Sequence, residues 1–199
     1  MWFWIGSALF LFVSFLIFRI PVRNDYLVRG KLSWSSAGLE TLVFALHANL
    51  PYLYLRVKWP GVPPLPVNRF QVWISLGISV LGIIMTLGIM VYLGFITSLG
   101  QGSAGIRQTG PYQWTRNPQL LSYSLALIGL AALYPSVESV TWILLYGVIA
   151  QVMVLTEEEY LTSTFGNAYL EYCARVPRYI CFGGQRKKIP NTLNKTNVK

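Results

Sequence analysis

Residues 70–97 read FQVWISLGISVLGIIMTLGIMVYLGFIT, about 28 positions that are almost wholly apolar. About 20 such residues cover the hydrocarbon core of a bilayer, so this segment predicts a membrane span that tilts or projects. Residues 2–18, 118–134 and 137–155 form similar blocks, and 36–55 forms a weaker one. Hydrophobic residues make up 54% of the chain and charged residues 12%, which excludes an ordinary soluble domain. The expected fold is an all-α integral membrane protein with about five transmembrane helices and a C-terminal cytoplasmic amphipathic helix. The first block differs from a signal peptide: no basic residue precedes it and no small-residue cleavage site closes it.

Orientation follows from Lys and Arg. The formal charge is +9, and its spread over loops and tail fits cytoplasmic loops facing anionic lipid, not nucleic acid. Five spans place the two ends on opposite sides. With the C-terminus inside, the 19–35 loop, the 98–117 loop and the tail carry thirteen basic residues. Only Arg56, Lys58 and Arg69 then lie outside. The expectation is N-terminus outside, C-terminus cytoplasmic.

Few residues offer metal or redox chemistry. The lone His47 cannot build a metal site and reads as a buried, hydrogen-bonded structural residue. Cys173 and Cys181 form neither a CxxC pair nor a disulfide framework. Within the second block, Glu40, His47 and Asn49 are expensive in a membrane and are expected to face the bundle or a wet cavity.

After the fifth block the pattern changes. In TEEEYLTSTFGNAYLEYCARVP the apolar residues Leu161, Phe165, Tyr169 and Tyr172 recur near helical spacing. This predicts an amphipathic helix broken near Gly166, with Glu157, Glu158 and Glu159 in its first turn, where the helix dipole favours acids. Residues 1–182 are expected to form one membrane-embedded domain, with N-terminal spans 1–97 and a cofactor-binding part 98–182. Residues 183–199 read as a disordered basic tail; its Asn194-Lys195-Thr196 sequon is on the wrong side for use.

The stretch GPYQWTRNPQ, residues 110–119, directly precedes the fourth block. Asn117 suits a helix N-cap and Pro118 the first helical position. Tyr112 and Trp114 suit a membrane interface. Together the same residues offer more. Gly110 permits close backbone approach, Tyr112 and Trp114 offer stacking faces, and Arg116 can bind a carboxylate or phosphate as a fork. Such a set can hold a polar, partly aromatic, anionic-ended cofactor. Only Pro135 and Ser136 part the fourth and fifth blocks, so they are expected to form a hairpin. That brings Arg116-Asn117 beside Glu157-Glu158.

In order, Gly110-Pro111-Tyr112, Arg116-Asn117-Pro118, Glu157-Glu158, Leu161, Phe165-Gly166, Tyr169, Tyr172 and Val176-Pro177 resemble the isoprenylcysteine carboxyl methyltransferase family. That family sits in a wider group of integral-membrane methyltransferases that includes phospholipid methyltransferases. The resemblance covers residues 100–179. Tyr-Leu-Glu-Tyr at 169–172 and Arg-Val-Pro at 175–177 favour the prenylcysteine branch. Asn117 stands where the family usually has His, and Leu120 where it has Tyr.

The resemblance implies S-adenosylmethionine as cofactor and a lipophilic carboxylate as acceptor, forming a methyl ester. No metal is implied. Arg116 and Glu157 are the implied catalytic residues. Arg116 would position the substrate carboxylate or the cofactor's carboxylate end. Glu157 and Glu158 would hold cofactor hydroxyl or ammonium groups. Ala104, Gly105, Ile106, Arg107, Asn117, Pro118, Gln119 and Leu120 would line the pocket, with Tyr112 packing nearby. The helix after the fifth span would close as a lid. The prenyl-type substrate would arrive sideways through membrane lipid, between the third, fourth and fifth spans. Three alternatives remain: a phospholipid, amine or thiol methyltransferase; a sterol-type reductase using NADPH; and a transporter or scaffold without catalysis.

Overall fold

The structure is a computed structural model and describes residues 1–55, 57–101 and 105–180. Among these residues it is all helical, with no strand. Ala104, Cys181 and the basic tail lie outside the described residues.

The first helix does not stop at residue 18. Helix α1 (Trp2–Ile17) continues through a π-helical turn, Phe18–Val22, into α2 (Arg23–Arg29). Pro21 sits inside that turn. A π-turn re-registers the backbone hydrogen bonds that a proline interrupts, so the helix runs on where a loop was expected. Arg19 and Arg23, one turn apart, thereby reach Glu159.

Helix α3 (Trp34–Asn49) starts at Ser33, whose Oγ accepts from the Ser36 amide, and yields to a 3₁₀ turn at Leu50–Leu53 that contains Pro51. Its His47 is fully buried, as expected. The His47 ring stacks on Trp142 at 5.1 Å, its Nε2 donates to the Trp142 carbonyl at 2.9 Å, and Trp142 Nε1 donates back to the His47 carbonyl at 2.8 Å.

Helix α4 (Arg69–Leu93) is capped by the Asn68 side chain and ends at Gly94, with the single turn α5 (Phe95–Ser98) beyond it. The expected span to residue 97 is therefore shorter. Helix α6 (Pro118–Leu133) packs tightly along α4. Glycines permit this: a Cβ at Gly82 would strike the Ala126 backbone, and one at Gly129 would strike Ser75 and Ser79. Ser79 Oγ donates to the Ala126 carbonyl at 3.2 Å, which satisfies a hydroxyl in the apolar contact. The opposite side of α4 leaves Phe70, Trp73, Leu81, Ile84 and Val91 exposed, as lipid contact requires.

Helix α7 (Val137–Phe165) is the largest departure. Its 29 residues run unbroken through the three glutamates. No glycine or proline interrupts 148–165, so nothing ends the helix at the membrane surface. At 1.5 Å per residue it is about 44 Å long, more than the roughly 30 Å hydrocarbon core. The excess lifts Glu157–Glu159 to one end of the bundle. They lie inside the helix, not in a first turn, so the dipole reading of these acids fails. The break comes at Gly166, in the left-handed region (φ 50°), and a separate short helix α8 (Asn167–Arg175) follows. One face of α8, Tyr169 and Tyr172, is buried with Val176 against Ile106, Leu161 and Phe165.

The chain is thus an integral membrane protein of apolar helices. Length and composition qualify three as crossings: Trp2–Arg29, α4 and α7. Helices α3 and α6 have 16 residues each, short of a full crossing on their own.

Candidate functional site

The turns after α2 and α4, the start of α6 and the end of α7 gather at one end of the bundle. Two cavities adjoin there. The smaller, about 130 Å³, has a polar wall that includes Arg107, Arg116, Glu157, Glu158, Tyr169 and Tyr172. The larger, about 460 Å³, extends between α3, α4, α6 and α7 past Phe44, Met90, Leu120, Tyr123, Tyr146 and Met153. Tyr26, Tyr112, Arg116, Asn117 and Glu157 belong to both walls.

Arg116 is held at this junction by an ion-pair network. Its Nη1 donates to Glu158 Oε1 at 2.7 Å and to Tyr169 Oη at 3.2 Å, with Cys173 Sγ at 2.8 Å. Arg178 grips the same carboxylate as a fork, at 3.0 and 2.6 Å. The Arg116–Glu158 pair is only 12% and 15% exposed. In such a setting two guanidiniums on one carboxylate fix geometry. The 176–178 segment also folds back on the motif. The Arg116 amide donates to the Pro177 carbonyl at 2.9 Å, and Thr115 Oγ1 and Asn117 Nδ2 both donate to the Arg178 carbonyl.

Residues 116–117 and 157–158 therefore do meet, as the hairpin predicts, but their roles divide. Both Glu158 oxygens are occupied by arginines. Glu157 forms no hydrogen bond or ion pair among the described residues and faces both cavities. Arg116 Nε is buried without a partner. These are the groups free to meet a ligand.

The other expected residues are placed as follows. Gly105, Ile106 and Arg107 line the smaller cavity, and Tyr112 lines both. Pro118, Gln119 and Leu120 line only the larger one. Asn117 occupies the N-cap of α6, but its side chain makes no capping bond, being spent on Arg178. Trp114 points away: it is 77% exposed and belongs to neither wall. Gly110 has φ 58°, and a Cβ there would strike the Tyr92 ring. Its close approach is to Tyr92, not to the site.

Helix α8 lies over the smaller cavity. Tyr172 Oη donates to the Tyr112 carbonyl at 2.8 Å. Burial pushes the phenols of Tyr112 and Tyr169 up, and that of Tyr172 to about 12. All three stay protonated and uncharged at neutral pH.

Several residues in or behind the walls carry no signal in the sequence. Tyr26 and Gly30 come from the end of α2, Tyr160 from α7 and Arg178 from beyond α8. Tyr26 and Tyr160 stack at 5.4 Å. No local motif marks them. Glu40 was expected to face a cavity, and it lines the larger one.

Comparison with known proteins gives one finding. Residues 70–168 match the family model described as phospholipid methyltransferase. No match was found among curated proteins or solved structures.

Proposed function

Since residues 70–168 belong to the phospholipid methyltransferase family of integral-membrane methyltransferases, we propose that this chain methylates the carboxylate of a lipophilic acceptor. A prenylated cysteine or a related isoprenoid thioether acid is such an acceptor, and S-adenosylmethionine is the donor. The supporting observation is the junction of two unlike cavities at Arg116 and Glu157. One cavity suits a charged nucleoside and the other an apolar chain.

The donor set of the smaller cavity fits S-adenosylmethionine. Arg107 suits the cofactor's carboxylate. Glu157 suits an ammonium or hydroxyl. The protonated Tyr112 and Tyr172 offer uncharged rings, and Tyr112 a hydroxyl. When bound, the cofactor supplies an electrophilic sulfonium methyl group.

The remaining work is positioning. A carboxylate with a reference pKa of about 4 is already ionised at neutral pH and needs no general base. Arg116, locked by Glu158, orients it. The α8 cover, latched by Tyr172, keeps water from the junction. Thr41 and Ala45 line the larger cavity and are also exposed on α3, across from Thr86 and Met90 on α4. The acceptor tail enters from lipid between α3 and α4, so the second span joins the expected walls. In this reading all five apolar helices lie in the membrane, with the site at the cytoplasmic, Arg-rich end.

A second reading is amine methylation. Its basis is the pair of carboxyl groups, Glu40 and Glu157, on the wall of the larger cavity.

Calorimetry with S-adenosylhomocysteine, with NADPH as the comparison, tests the donor. Micromolar binding of the first alone is expected; binding of NADPH alone would overturn the reading. A panel of amphiphilic acids, amines and thiols then tests the acceptor. Base-labile methyl ester is the expected product, and N-methyl product alone would transfer the proposal to the second reading.

A further inference from the structure

Glu40 lies on α3, outside the family-matched residues 70–168. Its Oε2 is buried and has no hydrogen-bond partner, and its side chain lines the larger cavity. A carboxyl in that position is destabilising unless something pairs with it. The charged residues on this wall are Glu40, Glu157 and Arg116. Arg116 already pairs with Glu158. The wall therefore carries two unpaired carboxyl groups beside one guanidinium that is already paired from behind.

An acceptor whose head bore only a carboxylate would add a third carboxyl group and no donor for Glu40. An acceptor that also carries an ammonium gives Glu40 the donor it lacks, and a charge-assisted hydrogen bond of that kind is strong in a low-dielectric cavity. We propose that Glu40 is a specificity-determining residue that holds an ammonium group on the acceptor, beside the group that is methylated. The proposal rests on the larger cavity being the acceptor site. It goes further by requiring a cation on the acceptor and by assigning its recognition to the N-terminal half of the chain. Two sources bring such a group beside a carboxylate: an S-alkylated cysteine with a free α-amine, and an aminophospholipid with a serine headgroup.

Binding alone tests this, without turnover. The full chain in zwitterionic nanodiscs is titrated by calorimetry with dodecylammonium and with N-dodecylacetamide, matched in tail and differing in charge. The ammonium is expected to bind at least about tenfold more tightly, equivalent to about 1.4 kcal/mol. Glu40→Gln is expected to bring the two probes to parity and to leave S-adenosylhomocysteine binding unchanged. Equal binding to the unmodified chain overturns the proposal whatever the variant does. So does a preference that survives in Glu40→Gln. Failure of methyl transfer with the preference intact counts against the proposed function instead. Repeating the comparison with S-farnesylcysteine and its N-acetyl form, and with phosphatidylserine and its N-acyl form, identifies the source.

Discussion

Arg116 Nη1 lies 2.7 Å from Glu158 Oε1, across 42 positions of sequence. The α6–α7 hairpin brings them together, and Arg178 closes the triad from the far end of the described chain. The Arg116 guanidinium is thus held by a carboxylate both of whose oxygens already accept from arginines.

Arg116→Ala removes the fork at the junction of the cavities. Turnover is expected to fall by at least about 100-fold, the scale of losing a preorganised charged donor. Arg178 still pairs with Glu158, so thermal unfolding should move by only a few degrees. Radiolabelled methyl transfer and a melting curve read the two effects. Near-normal turnover would sink the role given to Arg116.

The adjacent glutamates should separate cleanly. Glu158→Gln leaves two half-buried guanidiniums without their counter-charge and is expected to destabilise by about 2–4 kcal/mol. Glu157→Gln removes a group with no protein partner. It should leave the melting temperature unchanged while weakening S-adenosylhomocysteine at least about tenfold. The reverse pattern would mean that Glu158 holds the ligand.

Gly110→Ala adds a Cβ against the Tyr92 ring at a left-handed φ. Backbone strain alone costs about 1–2 kcal/mol, and the clash adds to it. Pairing the change with Tyr92→Ala should recover the steric part and leave the strain. Melting temperatures of the single and double variants measure the split. Full recovery would show that the φ angle carries no penalty.

His47→Ala breaks the buried hydrogen bond from its ring to the Trp142 carbonyl and empties its stacking position, while Trp142 Nε1 keeps the backbone carbonyl of residue 47. A loss of about 3–5 kcal/mol is expected, as for a large buried side chain that also leaves polar atoms unpaired. Activity per folded molecule should be unchanged, since His47 lines neither cavity. A catalytic defect without loss of stability would overturn its structural role.

Tyr172→Phe removes the latch from α8 to the Tyr112 carbonyl. Amide exchange in residues 167–175 should accelerate by about 5- to 10-fold, the equivalent of one neutral hydrogen bond. Unchanged exchange would show that the apolar contacts of Tyr169 and Val176 hold the cover without it.

The apolar blocks by themselves determine that this chain is helical and lives in a membrane, because hydrocarbon leaves the backbone no other way to satisfy its hydrogen bonds. The order of Gly-Pro-Tyr, Arg-Asn-Pro and Glu-Glu likewise announces the site, since a short hairpin loop leaves the ends of α6 and α7 little freedom to part. Helix ends were less legible. A π-turn absorbed Pro21, and α7 ran on through Glu157–Glu159, because continuation depends on neighbouring packing as much as on local sequence. The division of labour between Glu157 and Glu158 belongs to the tertiary structure alone. Both are acidic neighbours on one helix, and only the return of Arg178 to the mouth of the site decides which of them is occupied. Glu40 and Tyr26 enter the site in the same way. Glu40 stands out in sequence only as a costly polar residue in an apolar block and Tyr26 not at all, and the helices packed across from them place them on the cavity wall.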